Sequence, residues 1–197
     1  MKSLIRPSTA AVTDWLSECR SERPTFDITS DGTTRGYFKD DFRIQLGTGA
    51  DCYRHACSAL KEWKMFPSTM ATLIPSLPTV EQDTDLAVAY RAGPLWTVNP
   101  CRIVDVTTTK STNGESFRIT YATLPGHVEQ GWEQFAVERR HEDDTIWYAI
   151  QVYSRPNWWP VWLVLPYARY QQRRFQRLSG EAIMTAIRDS QCQPAKQ

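Results

Sequence analysis

The sequence predicts a single α+β domain in which a curved antiparallel sheet of about seven strands wraps around a long carboxy-terminal helix. Three observations carry this expectation. A strand-like run precedes a helix in the first third of the chain; six short β-rich runs then succeed one another across tight turns; and the chain closes on a helical apolar period. At 197 residues the chain has the length of one domain and can bury a sizeable core without disulfides or metal. Residues 1–35 are expected to form a helical extension, 36–188 the core, and 189–197 a flexible tail.

Ser8 and Thr9 are capping types ahead of a short helix to Cys19, with Ala11, Trp15 and Leu16 on one side; Pro24 ends it. Thr29 to Gly36 is polar and turn-rich. Phe38, Phe42, Ile44 and Leu46 sit at the even spacing of a half-buried strand, which Gly47-Thr48-Gly49 is expected to break. From Ala50 to Trp63, Cys52, Ala56, Ala59, Leu60 and Trp63 fall at helical spacing. Strands are predicted over about 69–75, 85–91, 95–108, 116–124, 132–140 and 145–153. Asn113-Gly114 is read as a tight hairpin turn that uses positive φ, Pro125-Gly126 as the next turn, and Glu142-Asp143-Asp144 as the one after. Ser154-Arg155-Pro156 is read as the start of the last helix, with Val164, Ala168, Phe175, Leu178, Ala182 and Ala186 on its apolar stripe. Pro160 and Pro166 predict a kink or break near Pro166.

Composition excludes several classes. With 41% apolar residues the chain is not disordered, and 23 basic against 22 acidic residues argue against a polybasic nucleic-acid binder. Residues 155–197 carry seven Lys/Arg against two Asp/Glu, so the basic charge gathers on the last helix. Eight Trp, eight Tyr and seven Phe point to an aromatic-lined cavity or interface. Five cysteines without paired spacing suit free thiols, and no apolar run approaches the ~20 residues of a membrane span. A soluble, cytoplasmic protein is the expectation.

The element order resembles the helix-grip fold of the Bet v 1-like or START-like superfamily. Within it, Leu46-Gly47-Thr48-Gly49 with Ala56, Ala59-Leu60, Trp63 and Met65-Phe66 resembles the opening of the family catalogued as domain of unknown function nineteen-ninety. Leu95-Trp96 with Asn99-Pro100-Cys101-Arg102-Ile103-Val104 is similar to its next block. Tyr121-Ala122-Thr123-Leu124-Pro125-Gly126-His127 with Glu129, Gly131, Glu133 and Phe135 resembles its most recognisable motif. Ser154-Arg155-Pro156, Trp159, Pro166, Ala168-Arg169 and Gln172-Arg173 resemble its close. Ala122, Val128 and Trp132 depart from that pattern, the last where a second acidic residue is common. The resemblance implies a fold with a cavity, and no reaction.

The residue types favour a binding cavity over a metal or nucleophile centre. Cys52 and Cys57 would lie about 140° apart on a helix, His127 and His141 have no ligand-spaced partners, and no nucleophile elbow or phosphate loop appears; no metal and no cofactor is expected. Alternation puts Tyr121, Glu133 and Tyr148 on otherwise apolar strand faces, with His127 in a nearby turn. These four, with Trp96 and Arg155, are the candidate ligand-binding residues; His127 and Glu133 are the candidate catalytic pair. Three functions follow in order of preference. The first is binding of a hydrophobic small molecule between sheet and helix. The second is acid/base catalysis (cyclase, hydrolase or isomerase type) on an apolar carbonyl substrate, with His127 as base. The third is a peripheral membrane or interaction module using Trp158, Trp159 and Trp162. The oligomeric state and the ligand's identity are not written in the sequence.

Overall fold

Apolar alternation and helical period set the order of elements in the computed structural model, which describes residues 2–3, 5–26, 36–92 and 95–192. A short strand β1 (Lys2–Ser3) precedes helix α1 (Thr9–Glu18), which ends in a 3₁₀ turn, Cys19–Ser21. Strand β2 (Phe38–Thr48) and helix α2 (Ala50–Lys61) follow. Then come β3 (Ala71–Ile74), β4 (Asp85–Ala92), β5 (Leu95–Lys110), β6 (Gly114–Thr123), β7 (Glu129–Arg140) and β8 (Thr145–Pro156). A short helix α3 (Trp159–Leu163) and the long α4 (Leu165–Cys192) complete the described chain.

The strands make one antiparallel sheet in the order β2-β8-β7-β6-β5-β4-β3, with β1 paired to the start of β5. Strand β2 lies on one edge and β3 on the other, so α2 carries the chain across one face of the sheet. There α2 and α4 pack together, and Leu60, Met65, Ile103, Phe135, Ile150 and Ile183 fill a core with almost no exposure. Burial of such side chains is worth about 1.5–3 kcal/mol each. Helix α1 covers the opposite face, where Val12 and Leu16 join Ile74, Ala87, Ala89 and Val98. The fold is therefore a helix-grip sheet with a helix on its outer side as well.

All six expected strands of the meander are present. Several local readings are corrected. Gly47 does not end β2: it sits inside the strand at a bulge between Gln45 and Gly47 with φ 152°, and Gly49 (φ 91°) caps α2 instead. Gly114 belongs to β6 and not to a positive-φ turn; a Cβ there would stand 2.2 Å from the Arg139 carbonyl oxygen, so close strand approach demands it. On α1 the buried positions are Val12 and Leu16, while Ala11 is exposed, although Ser8 does cap the helix by accepting from the Ala11 N–H at 3.2 Å.

The last helix starts later than expected, because Ser154-Arg155-Pro156 still pairs with β7. The break expected near Pro166 falls at Val164, and each proline stands second in its helix, where the missing N–H costs little. Residues 189–192, expected in a tail, continue α4; residues 193–197 and the turn-rich 29–35 lie outside the described residues.

Candidate ligand-binding cavity

Between the gripping face of the sheet and the first turns of α4 lies a cavity of about 490 Å³. That is within the ~300–1,000 Å³ range of small-molecule sites. Its walls are mainly apolar and aromatic: Phe66, Tyr90, Trp158, Tyr167 and Phe175 contribute rings from four parts of the chain. Its polar groups come chiefly from β5, β6, β7 and the turn between β6 and β7.

Strand periodicity explains which side chains enter. On β7, Glu129, Glu133, Phe135 and Val137 share the inward face. Glu133 pairs in register with Tyr121 of β6, so the Tyr121 hydroxyl donates a short hydrogen bond to Glu133 Oε2. Gly131 pairs with Ser154, and the Ser154 hydroxyl donates to Glu129 Oε2 at 3.1 Å. The turn Leu124-Pro125-Gly126-His127 closes on an N–H of His127 donating to the Leu124 carbonyl at 3.2 Å, with Gly126 at φ 92°. Proline second and glycine third is the chemistry of a type II turn, and it delivers His127 to the cavity wall. Opposite it, Asn99 donates to the Val88 carbonyl (3.3 Å) and to Thr97 Oγ1 (3.2 Å) and accepts from the Val128 N–H at 3.4 Å.

Protonation follows from this geometry. His127 Nδ1 accepts the Glu129 N–H at 2.8 Å, so the neutral ring carries its proton on Nε2. Burial pushes the His127 pKa down to about 3, and the ring is uncharged at neutral pH. Burial raises Glu133 to about 7; the Tyr121 hydroxyl opposes the rise and Glu129 adds to it. Burial raises Glu129 as well, opposed by Ser154 and by Arg169. The Tyr121 phenol is pushed far above its ordinary value, first by burial and then by Glu133.

Of the residues singled out in the sequence, Tyr121, His127 and Glu133 line the cavity together. Tyr148, Trp96 and Arg155 are not among its lining residues. Tyr148 is on the inward face of β8 but is sealed beneath α4, where its hydroxyl meets Ser179 Oγ at 2.6 Å. Trp96 alternates with Thr97 and Asn99, which line the cavity, and so faces the other way, with the Arg6 guanidinium 5.4 Å above its ring. Arg155 likewise faces outward on β8, bonded to Gln130 Oε1 (2.8 and 3.1 Å) and stacked over Tyr37. Trp158 lines the cavity and Trp159 is 71% exposed; the side chain of Trp162 lies outside the described residues.

The family described as "Domain of unknown function (DUF1990)" matches residues 24–182. The chain belongs to the DUF1990 family. Among relatives, a UPF0548 protein of Dictyostelium discoideum is 26% identical over 207 residues, covering 94% of this chain and 95% of that one. A UPF0548 protein of Arabidopsis thaliana is 29% identical over 157 residues, covering 79% and 76%. Among solved structures, human STARD10 is similar with a TM-score of 0.44 and 12% identity, covering 91% of this chain and 81% of that one.

In this DUF1990 chain, sequence reasoning missed Glu129 and Asn99 as cavity residues. Strand β7 begins at Glu129 and not at the expected residue 132; the four-residue spacing of Glu129 from Glu133 is the available signal, since i and i+4 share a strand face. Trp132, the departure from the family pattern, points outward and stacks on Tyr153. The second carboxylate of this cavity is Glu129. No group of His, Cys, Asp or Glu suited to a metal ion occurs among the described residues, and none of their helices is long and apolar enough to cross a membrane.

Proposed function

We propose that the protein binds a hydrophobic small molecule in this cavity, held by aromatic walls and oriented by Tyr121, His127, Glu129 and Glu133. The observation that carries the proposal is an apolar cavity with a few convergent polar groups, two of them carboxylates with raised pKa values. A packed core has no use for desolvated carboxylates, which cost stability unless something engages them. His127 enters as a donor through Nε2–H, because its Nδ1 is taken by a backbone N–H.

Mass spectrometry of the purified protein, native and then denatured, tests this. A mass difference that disappears on denaturation is expected, and Ala168→Trp, which fills the cavity from α4, is expected to abolish it. A protein that carries no adduct and takes up no apolar probe would refute the proposal.

One observation favours a second reading, acid/base catalysis. With a pKa of about 7, Glu133 exchanges a proton near neutral pH, whereas His127 at about 3 does not. The proton-transfer role therefore goes to Glu133 in place of His127. Under this reading the recovered ligand is converted on incubation with the protein and unchanged with Glu133→Gln; equal conversion by both would exclude it.

A further inference from the structure

The charge balance of the cavity walls narrows the ligand class, and this inference rests on the binding proposal above. Among the described residues, Glu129 and Glu133 are the ionised or ionisable acids in the lining, and no Lys or Arg stands there. The nearest guanidinium acting on Glu129 is that of Arg169, which is clamped by both terminal nitrogens to the Asp40 carboxylate. His127 is neutral. Each glutamate uses Oε2 to accept a hydroxyl hydrogen, from Tyr121 or Ser154, which leaves its other oxygen for a ligand. A further acceptor, Gln171 Oε1 on α4, is buried in the wall without a hydrogen-bond partner. Three acceptors, one oxygen of each glutamate and Gln171 Oε1, are thus left for a ligand, and a buried acceptor without a donor is costly.

Aromatic faces supply the rest. Phe66, Tyr90, Tyr121, Trp158, Tyr167 and Phe175 surround the space, and ring faces attract cations as well as apolar bodies. We infer that the ligand is an organic cation: a flat or aromatic apolar body bearing a protonated amine, whose N–H groups meet Glu129 and Glu133. An anionic ligand would face two carboxylates with no counter-charge. A neutral carbonyl ligand would engage the donor His127 or the protonated Glu133 and leave Glu129 and Gln171 Oε1 unpaired.

The inference has a pH signature. The groups around Glu133 are Tyr121 on β6, Glu129 on β7, Cys101 on β5, Tyr148 on β8 and His127 in the turn, all neutral or acidic; α4 contributes the amides Gln171 and Gln172. An ammonium stabilises the ionised carboxylate, so its binding tightens as pH rises past the range where Glu133 loses its proton. A neutral acceptor ligand needs the protonated acid and loosens over the same range.

Three probes of one shape decide the matter by calorimetric titration: 1-naphthylmethylamine, 1-naphthylmethanol and 1-naphthoate. The amine is expected to bind about tenfold or more tightly than the alcohol, to gain roughly tenfold between pH 6 and pH 8, and to lose its advantage in Glu129→Gln/Glu133→Gln. An unchanged circular-dichroism spectrum and a cooperative urea transition show that the double variant is folded. If the alcohol binds as tightly as the amine, or the amine weakens from pH 6 to pH 8, the cation inference is overturned and the binding proposal stands. If none of the three binds at millimolar concentration, or Ala168→Trp binds them equally, both are overturned.

Discussion

Glu133 and His127 impose opposite pH dependences on stability. The folded Glu133 pKa is raised from 4.5 to about 7, so the stability it permits is complete below about 4.5 and is lost as pH rises through about 7. The folded His127 pKa is lowered from 6.5 to about 3, so its contribution is present above 6.5 and is lost as pH falls towards 3. Between 4.5 and 6.5 the two slopes oppose each other and the parent protein is expected to be nearly flat. Glu133→Gln removes one of them. Relative to the parent, that variant should gain on the order of 2–3 kcal/mol between pH 4.5 and pH 7.5 by urea denaturation. A difference between the two proteins that does not change with pH would show that Glu133 is not the desolvated acid.

At the scale of elements, Arg102 fastens the outer helix to the sheet. It pairs in register with Asp85 and binds both carboxylate oxygens, Nε to Oδ1 at 2.6 Å and Nη2 to Oδ2 at 2.9 Å. Its remaining N–H groups donate to the carbonyls of Glu22 (2.8 Å), Arg20 (3.0 Å) and Cys19 (3.3 Å), the turn that follows α1. Both charged side chains are only 13% exposed, so removing one strands the other. Arg102→Met is expected to cost about 2–4 kcal/mol and to lower amide protection over residues 9–21. Lysine at this position keeps the charge but cannot reproduce the forked geometry, and should fall between the two. Protection of α1 unchanged in Arg102→Met would mean that the apolar contacts of Val12 and Leu16 hold the helix alone.

At the scale of the whole molecule, the grip depends on the last strand meeting the last helix. Tyr148 on β8 and Ser179 on α4 are both fully buried, and their hydroxyls lie 2.6 Å apart. The next residue, Gly180, lets the helix approach β2: a Cβ there would stand 3.2 Å from Ile44 Cγ2 and 3.3 Å from Phe42 Cε1. Tyr148→Phe and Ser179→Ala should each cost about 1–2 kcal/mol, because each leaves one buried hydroxyl unpaired. Combining them should cost clearly less than the sum, a coupling a double-mutant cycle reads directly. Additive losses would show that the hydroxyls do not bond. Exposed apolar side chains gather where α3 passes into this helix, Leu163, Val164, Tyr167 and Tyr170 with Trp159, and Val164 and Tyr167 also line the cavity.

Local pattern determined a good part of this protein. Two-residue alternation located the six strands of the meander and put Tyr121 and Glu133 on inward faces; helical spacing located α2 and α4; Pro125-Gly126 marked the turn that carries His127. Family likeness in the same residues gave the fold. Pairing and depth were decided only in three dimensions, because alternation tells which face a side chain takes but not what covers it. Tyr148 and Glu133 both face inward, yet α4 seals the first and the cavity opens on the second. Glu129 entered the site because β7 begins three residues before the apolar alternation does. Gly114 was needed for a neighbouring strand and not for a turn. The protonation of His127 hangs on a backbone N–H two residues away, a bond that exists only once the turn has closed.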